Sequence, residues 1–261
     1  MMRYSYSYTI TATDMDNNYR LQPAAILAYF EDCFARYMSV KRLAAFDLVK
    51  EDLLWIITEF SARKTDKDAL WSEVITVEMW ISEITPLRIY SDFRIHMAGN
   101  PDDILYEGTS CWSLINAITH RPEKTDRVSG SIEIVPDIMV EHRKKRLPDG
   151  GEEIARAVHK VNLLDLDFNK HVNNRSYLSI AMLTTTEEFL TTNTVGYFTV
   201  HWLAETYLGD TITCSLSRMP ETEGTYLHTL TNDNGKKVAQ IYSEWHKTSN
   251  PADISTSIER I

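Results

Sequence analysis

Asp165, Asp167, Asn169 and His171 alternate with other residues along one short stretch, Asp165-Leu-Asp167-Phe-Asn169-Lys-His171-Val-Asn173-Asn174-Arg-Ser-Tyr177. It gathers two carboxylates, three carboxamides and an imidazole just ahead of an apolar segment, Tyr177 to Leu190, that reads as a helix. Asn173 or Asn174 is placed to cap that helix. Backbone N–H groups and the macrodipole at such a terminus favour negative charge, so a developing oxyanion can be held there. A carboxylate beside an imidazole can also activate water at neutral pH.

Two other readings fit the same residues. Asp and Asn ahead of a helix are ordinary turn and capping residues, and a single His there is more often structural than catalytic. Asp165, Asp167 and Asn169 also match the first three ligand positions of an EF-hand calcium loop. Lys170 stands where that loop needs Gly and Ser176 where it needs Glu, which excludes calcium. Spacing alone leaves the structural and catalytic readings standing side by side.

The elements that must position the stretch occur twice. Residues 4–13 alternate as a strand does, the segment Asp14-Met-Asp16-Asn-Asn18-Tyr-Arg20-Leu-Gln-Pro23 follows, and Ile26, Phe30, Phe34, Tyr37 and Met38 then recur at helical steps. Pro23 takes the position at which a helix best tolerates it. Strands are expected at Leu53–Arg63, Glu73–Ser82, Arg88–Met97 and Ile104–Ile115. In the second half Ala155–Leu163 reads as a strand, the polar stretch and its helix come next, and strands are expected at Val195–Ala204, Thr211–Arg218, Tyr226–Asn232 and Lys237–Lys247. Laying Asp14 on Asp165 puts Asp16 on Asp167, Asn18 on Asn169, Arg20 on His171 and Pro23 on Asn174. This is an internal duplication in which only the second copy keeps the imidazole. The order is α+β, with one sheet wrapped around one helix in each half. Between the halves, Pro122, Gly130, Pro136, Pro148 and Gly150-Gly151 read as a connector. The expected division is therefore 1–118, a linker at 119–153, and 154–261.

The run Asp167-Phe-Asn169-Lys-His171-Val-Asn173-Asn174 leading into a helix resembles the active-site signature of the acyl-acyl-carrier-protein thioesterases, plant plastid enzymes and their bacterial relatives. Leu54-Trp55-Ile-Ile-Thr58 looks like the family's early Trp-containing strand. Trp112-Ser-Leu-Ile-Asn116 followed by Thr119-His-Arg121 looks like its strand-end signature, and His201-Trp-Leu-Ala-Glu205 like the strand carrying a second catalytic carboxylate. These matches cover most of the chain in the family's order.

The resemblance implies a tandem double hotdog, each half a long central helix wrapped by an antiparallel β-sheet. The C-terminal copy would be catalytic and the N-terminal copy would shape the acyl pocket. It implies release of free fatty acid from acyl carrier protein, ending fatty acid synthesis, and assigns Asp167, Asn169, His171 and Glu205 to the catalytic set. Glu205 and His171 are expected to polarise the attacking water, Asp167 to orient the network, and Asn169 to position the thioester or its pantetheine arm. Backbone N–H groups around Val172–Asn174 are expected to hold the oxyanion. Direct attack by a carboxylate through an anhydride stays open. No metal or redox cofactor is required. Rival readings are an acyl-CoA thioesterase, a non-catalytic acyl-binding protein and a dehydratase on a duplicated hotdog. Thr206 departs from many plant members, which carry a cysteine there, and this argues against a cysteine nucleophile.

Composition bounds the rest. The chain has 261 residues, 43% hydrophobic and 25% charged, ordinary for a soluble globular protein, and no apolar run long enough to span a bilayer. Cys33, Cys111 and Cys214 lack paired spacing for zinc or redox work, so a reducing cytoplasm is the expected home. A net charge of −10 argues against nucleic-acid binding. The basic run His142–Arg146, with Arg121, Lys124 and Arg127, is either a solvated linker or a seat for an acidic carrier protein. Phe30, Phe34, Trp55 and Ile57 fit an acyl tunnel or plain core, core being the commoner outcome. The duplication makes a monomer physically sufficient and leaves room for a homodimer.

Overall fold

Period-two alternation of apolar residues sets the strands, and it does so separately in two compact units of the computed structural model. The structure describes residues 3–140, 146–220 and 222–248. Unit 1 comprises Met1–Thr11 with Ile26–Lys145, and unit 2 comprises Ala12–Ala25 with Arg146–Ile261.

In unit 1 the strands are β1 (Tyr4–Thr9), β2 (Leu53–Lys64), β3 (Val74–Ile84), β4 (Ile89–Met97) and β5 (Ile104–Asn116). They lie in the order β1-β3-β4-β5-β2, with every neighbour antiparallel. Helix α1 (Pro23–Val40) buries Ile26, Phe30, Cys33, Phe34, Tyr37 and Met38 at steps of three and four, the spacing of one helical face. Phe34 stacks on Trp112 with ring centroids 3.9 Å apart, and Phe30 meets Phe93 at 4.7 Å. Each fully buried Phe contributes roughly 1.5–3 kcal/mol of transfer free energy. Gly108 is required by this packing: a Cβ there would sit 2.3 Å from both Phe93 Cζ and the Ser61 carbonyl oxygen. Phe30, Phe34 and Ile57 are thus core, and Trp55 packs half-buried against Leu48, Leu53, Leu114 and Val128.

Two one-turn helices, α2 (Ala45–Leu48) and α3 (Asp126–Ser129), complete unit 1. The stretch after β5 that reads as connector is in part packed. Val128, Ile132, Val135 and Val140 are buried, Trp80 Nε1 donates to the Asp137 carbonyl at 2.9 Å, and Met139 N–H donates to Asp92 Oδ1 at 2.9 Å. Asp92 is fully buried, and its carboxylate accepts from Met139 N–H on one oxygen and from Ser82 Oγ on the other. Most of the basic run, residues 142–145, lies outside the described residues.

In unit 2 the strands are β6 (Glu152–Lys160), β7 (Asn193–Trp202), β8 (Thr211–Arg218), β9 (Thr225–Thr231) and β10 (Lys237–Lys247), in the order β7-β10-β9-β8-β6, again antiparallel throughout. The helix expected over Tyr177–Leu190 is broken in two: α4 (Asn174–Met182) and α5 (Glu187–Thr192). Three consecutive threonines cause the break. Thr184 and Thr185 turn their hydroxyls back onto the Ala181 and Met182 carbonyls, while Thr186 caps α5 by accepting from Phe189 N–H. The central helix of unit 2 is therefore much shorter than that of unit 1. Among the described residues no helix is long and apolar enough to cross a membrane.

Candidate active site

The loop ahead of α4 is built by its own polar side chains. Asn162 and Asp165 form a capping box around a 3-10 turn, Leu163–Asp165, and this ends β6 earlier than its apolar pattern suggests. Asp165 Oδ2 also meets His159 Nε2 at 2.8 Å. Asp167 closes the next turn: its Oδ1 accepts from Asn169 N–H at 2.7 Å, its carbonyl from Lys170 N–H, and its own N–H donates to the His171 carbonyl. Lys170 sits at φ 66°, the left-handed conformation that lets the chain reverse there. Asn173 then caps α4, its side chain accepting from Arg175 N–H at 3.1 Å. The loop thus carries His171 into a second segment, where Val172 N–H donates to the Thr206 carbonyl at 2.9 Å.

That second segment is Leu203–Asp210. Glu205 is not on a strand as the resemblance implies, because β7 ends at Trp202. Leu203 and Ala204 both direct their N–H groups at the Val238 carbonyl, which breaks the ladder and turns the chain out of the sheet. Glu205 follows, with its Oε1 3.6 Å from His171 Nδ1. Both side chains are about one-third exposed or less, at 27% and 35%, so the pair is reachable by water and by a ligand. Thr206 is fully buried and accepts from the Tyr177 hydroxyl of α4 at 2.9 Å, tying the helix to the Glu205 segment. Burial pushes the Tyr177 phenol up to about 12, so it keeps the proton it donates.

Of the residues singled out in the sequence, His171 and Glu205 are brought face to face. Asp167 is placed as the organiser of the His171 turn, with its carboxylate on backbone rather than on the imidazole. Asn169 lies on the same turn with its side chain exposed. One expectation is corrected: the N–H groups of Val172 and Asn173 do not point to an oxyanion. They donate to the Thr206 and Asp165 carbonyls, at 2.9 and 2.8 Å, and hold the loop together. Sequence reasoning passed over Tyr207 and Tyr177, whose hydroxyls bond Glu205 and Thr206. The signal available for the first was the turn Gly209-Asp210 just beyond it, where Asp210 Oδ2 accepts from Tyr207 N–H.

The first copy of the loop repeats this construction. Met15 bridges Leu21 as Leu166 bridges Val172, Asp16 N–H donates to the Arg20 carbonyl, and Gln22 N–H donates to the Asp14 carbonyl. Tyr19, at φ 58°, takes the place of Lys170. The side chains do different work. Asn18 Nδ2 donates to the Leu190 carbonyl at 3.0 Å and Arg20 Nη1 to the Asn193 carbonyl at 3.1 Å, where α5 runs into β7. Those two residues are structural clamps within unit 2.

Comparison with known proteins agrees with this duplicated frame. The model of the acyl-ACP thioesterase N-terminal domain matches residues 2–128, and that of the C-terminal domain matches residues 151–247. The chain belongs to the acyl-ACP thioesterase family. Among its relatives, a chloroplastic palmitoyl-acyl carrier protein thioesterase of Cuphea hookeriana is 25% identical over 76% of this chain and 50% of its own length. A chloroplastic dodecanoyl-[acyl-carrier-protein] hydrolase of Cinnamomum camphora is 22% identical over 76% of this chain and 54% of its own. This acyl-ACP thioesterase family member spans about half the length of the curated relatives it matches. A putative oleoyl thioesterase from Lactobacillus plantarum superposes with TM-score 0.82 at 22% identity, covering 95% of this chain and 98% of the other. The 12:0-ACP thioesterase from Umbellularia californica gives 0.81 at 17% identity over 94% and 98%. These likenesses show the fold, a tandem double hotdog.

Proposed function

We propose that this protein hydrolyses the thioester of acyl carrier protein, releasing free fatty acid and the carrier thiol. Its observational support is the approach of His171 Nδ1 to Glu205 Oε1 at 3.6 Å, on two loop segments held by a shared hydrogen-bond frame. A binding protein needs a pocket but has no use for a water-accessible carboxylate–imidazole pair beside a helix N-terminus.

In the proposed reaction a water molecule lies between the thioester carbonyl carbon and the pair. Glu205 and His171 take its proton as the new C–O bond forms, general base catalysis that contributes about 10²–10⁴-fold. The N-terminal end of α4 favours the negative charge then gathering on the carbonyl oxygen. As the tetrahedral intermediate collapses, the C–S bond breaks and the proton passes to the leaving thiolate, giving a carboxylic acid and a thiol. Asp167 keeps the turn that presents His171, and the Asn169 carboxamide contacts the thioester or its pantetheine arm. The three thiols are buried and unpaired, which suits a reducing compartment such as the cytoplasm and leaves no cysteine to serve as nucleophile.

Incubation of the purified protein with matched acyl-carrier-protein and acyl-CoA panels tests this reading. Free acid and thiol are expected from the carrier-linked panel. Turnover of CoA esters alone keeps the site and changes the substrate, an enoyl thioester indicates dehydration, and no turnover of either panel by folded protein overturns the enzyme.

A further inference from the structure

Both members of the His171–Glu205 pair rest on a third side chain, Tyr207. Its hydroxyl donates to Glu205 Oε2 at 2.6 Å, while the other oxygen, Oε1, is the one that faces His171 Nδ1. Its ring meets the His171 ring edge-on, with centroids 4.9 Å apart and planes at 86°. The two residues also bridge each other as isolated antiparallel partners. Tyr207 is fixed in turn, because its N–H donates to Asp210 Oδ2 at 2.9 Å across a turn that Gly209 makes at φ 85°. The carboxylate of Glu205, together with burial, pushes the Tyr207 phenol up to about 12. The hydroxyl therefore keeps its proton, and remains a donor, throughout the neutral range.

We propose that Tyr207 is a positioning residue for thioester hydrolysis, holding one oxygen of Glu205 so that the other faces the imidazole and the attacking water. Glu205 has left the sheet and sits on an exposed segment, where a free glutamate would sample several rotamers. A short hydrogen bond to an anion is among the stronger and more directional contacts available to fix one of them. The ring sets the facing wall of His171, so one side chain aligns both partners. The inference rests on the proposed reading of the pair as the water-activating group.

A double-mutant cycle tests it on the full chain, with kcat and KM measured on a carrier-linked substrate. Tyr207→Phe keeps the ring against His171 and removes the donor. It is expected to lower kcat roughly ten-fold with KM unchanged, part of the full general-base contribution. Tyr207→Leu removes the ring contact as well and is expected to lower kcat further. In a Glu205→Gln background, Tyr207→Phe is expected to cost almost nothing more, since there is no carboxylate left to position. Far-UV circular dichroism and melting of each variant show that the half-exposed site still folds. A Tyr207→Phe loss that multiplies fully with that of Glu205→Gln, or that appears in KM alone, overturns the positioning role while leaving the pair intact. A Glu205→Gln variant that hydrolyses at the wild-type rate overturns the pair and the proposal together.

Discussion

Asp16 and Asp167 make the same hydrogen bond in two copies of one loop: the Oδ1 of each accepts from the backbone N–H two residues on, at 2.8 Å from Asn18 and 2.7 Å from Asn169. The turn geometry has outlasted the divergence of the side chains it presents. Stability and activity should therefore come apart between the copies. Asp16→Ala and Asp167→Ala are each expected to cost about 1 kcal/mol, as other side-chain-to-backbone caps do. Asp16 also accepts from Arg20 N–H at 3.0 Å, so its loss should be at least as large. Only Asp167→Ala is expected to lower kcat, because only its turn carries an imidazole. Urea unfolding alongside steady-state rates checks both halves of this expectation.

Thr206 and Tyr177 form a buried donor–acceptor pair linking α4 to the Glu205 segment. Thr206→Val leaves the Tyr177 hydroxyl buried without that acceptor and should cost roughly 1–3 kcal/mol. Tyr177→Phe added to it removes the orphaned group and should recover part of the loss. Thermal melting of the two single variants and the double variant reads the result. Simple additivity would argue against the pairing.

The cysteines should be inert in the folded protein. Burial pushes the Cys33 and Cys214 thiols up to about 12 and raises Cys111, so little thiolate exists at neutral pH. Iodoacetamide at pH 8 is expected to leave native activity unchanged and to label the three cysteines only after unfolding. Rapid inactivation matched by labelling of one native cysteine would show a reactive thiol.

His228 predicts how the fold responds to acid. It is 1% exposed on β9, opposite Ile241 and Leu216 on the flanking strands, and among the described residues neither ring nitrogen makes a hydrogen bond of good geometry. Burial lowers its pKa from the ordinary 6.5 to about 4. Between those values the unfolded chain binds the proton and the folded chain does not, so His228 makes stability rise with pH through that window and level off above it. The span amounts to roughly 3 kcal/mol at about 1.4 kcal/mol per unit. Unfolding free energies of wild type and His228→Leu at pH 4.5 and pH 7 check this. The variant is expected to lose less stability on acidification, and an equal loss in both proteins would contradict the assignment.

Much of the frame was legible in the sequence because alternation is a local signal. β8 and β10 fall on their expected bounds, Thr211–Arg218 and Lys237–Lys247. The duplication was legible too, since Asp14 and Asp165 anchor the same backbone turn. The misses came where particular hydrogen bonds and packing override the apolar pattern. The Thr184–Thr186 run ends a helix that apolar content alone would extend, and the double acceptor at Val238 turns Glu205 off its strand. Val128, Ile132, Val135 and Val140 were the overlooked sign that the segment after β5 packs, hidden among Pro, Gly and charged residues. Tyr207 was invisible for a different reason: a tyrosine two residues beyond a glutamate carries no motif, and only the folded turn shows where its hydroxyl goes.

The measurement that bears most directly on the central claim is kcat for one acyl-carrier-protein substrate, compared among wild type, His171→Ala and Glu205→Gln, each shown by circular dichroism to be folded. Each substitution is expected to lower kcat by about 10²–10⁴-fold, and the double variant should be little worse than either, as groups acting as one unit are not additive. Wild-type turnover in either single variant would contradict the water-activating pair.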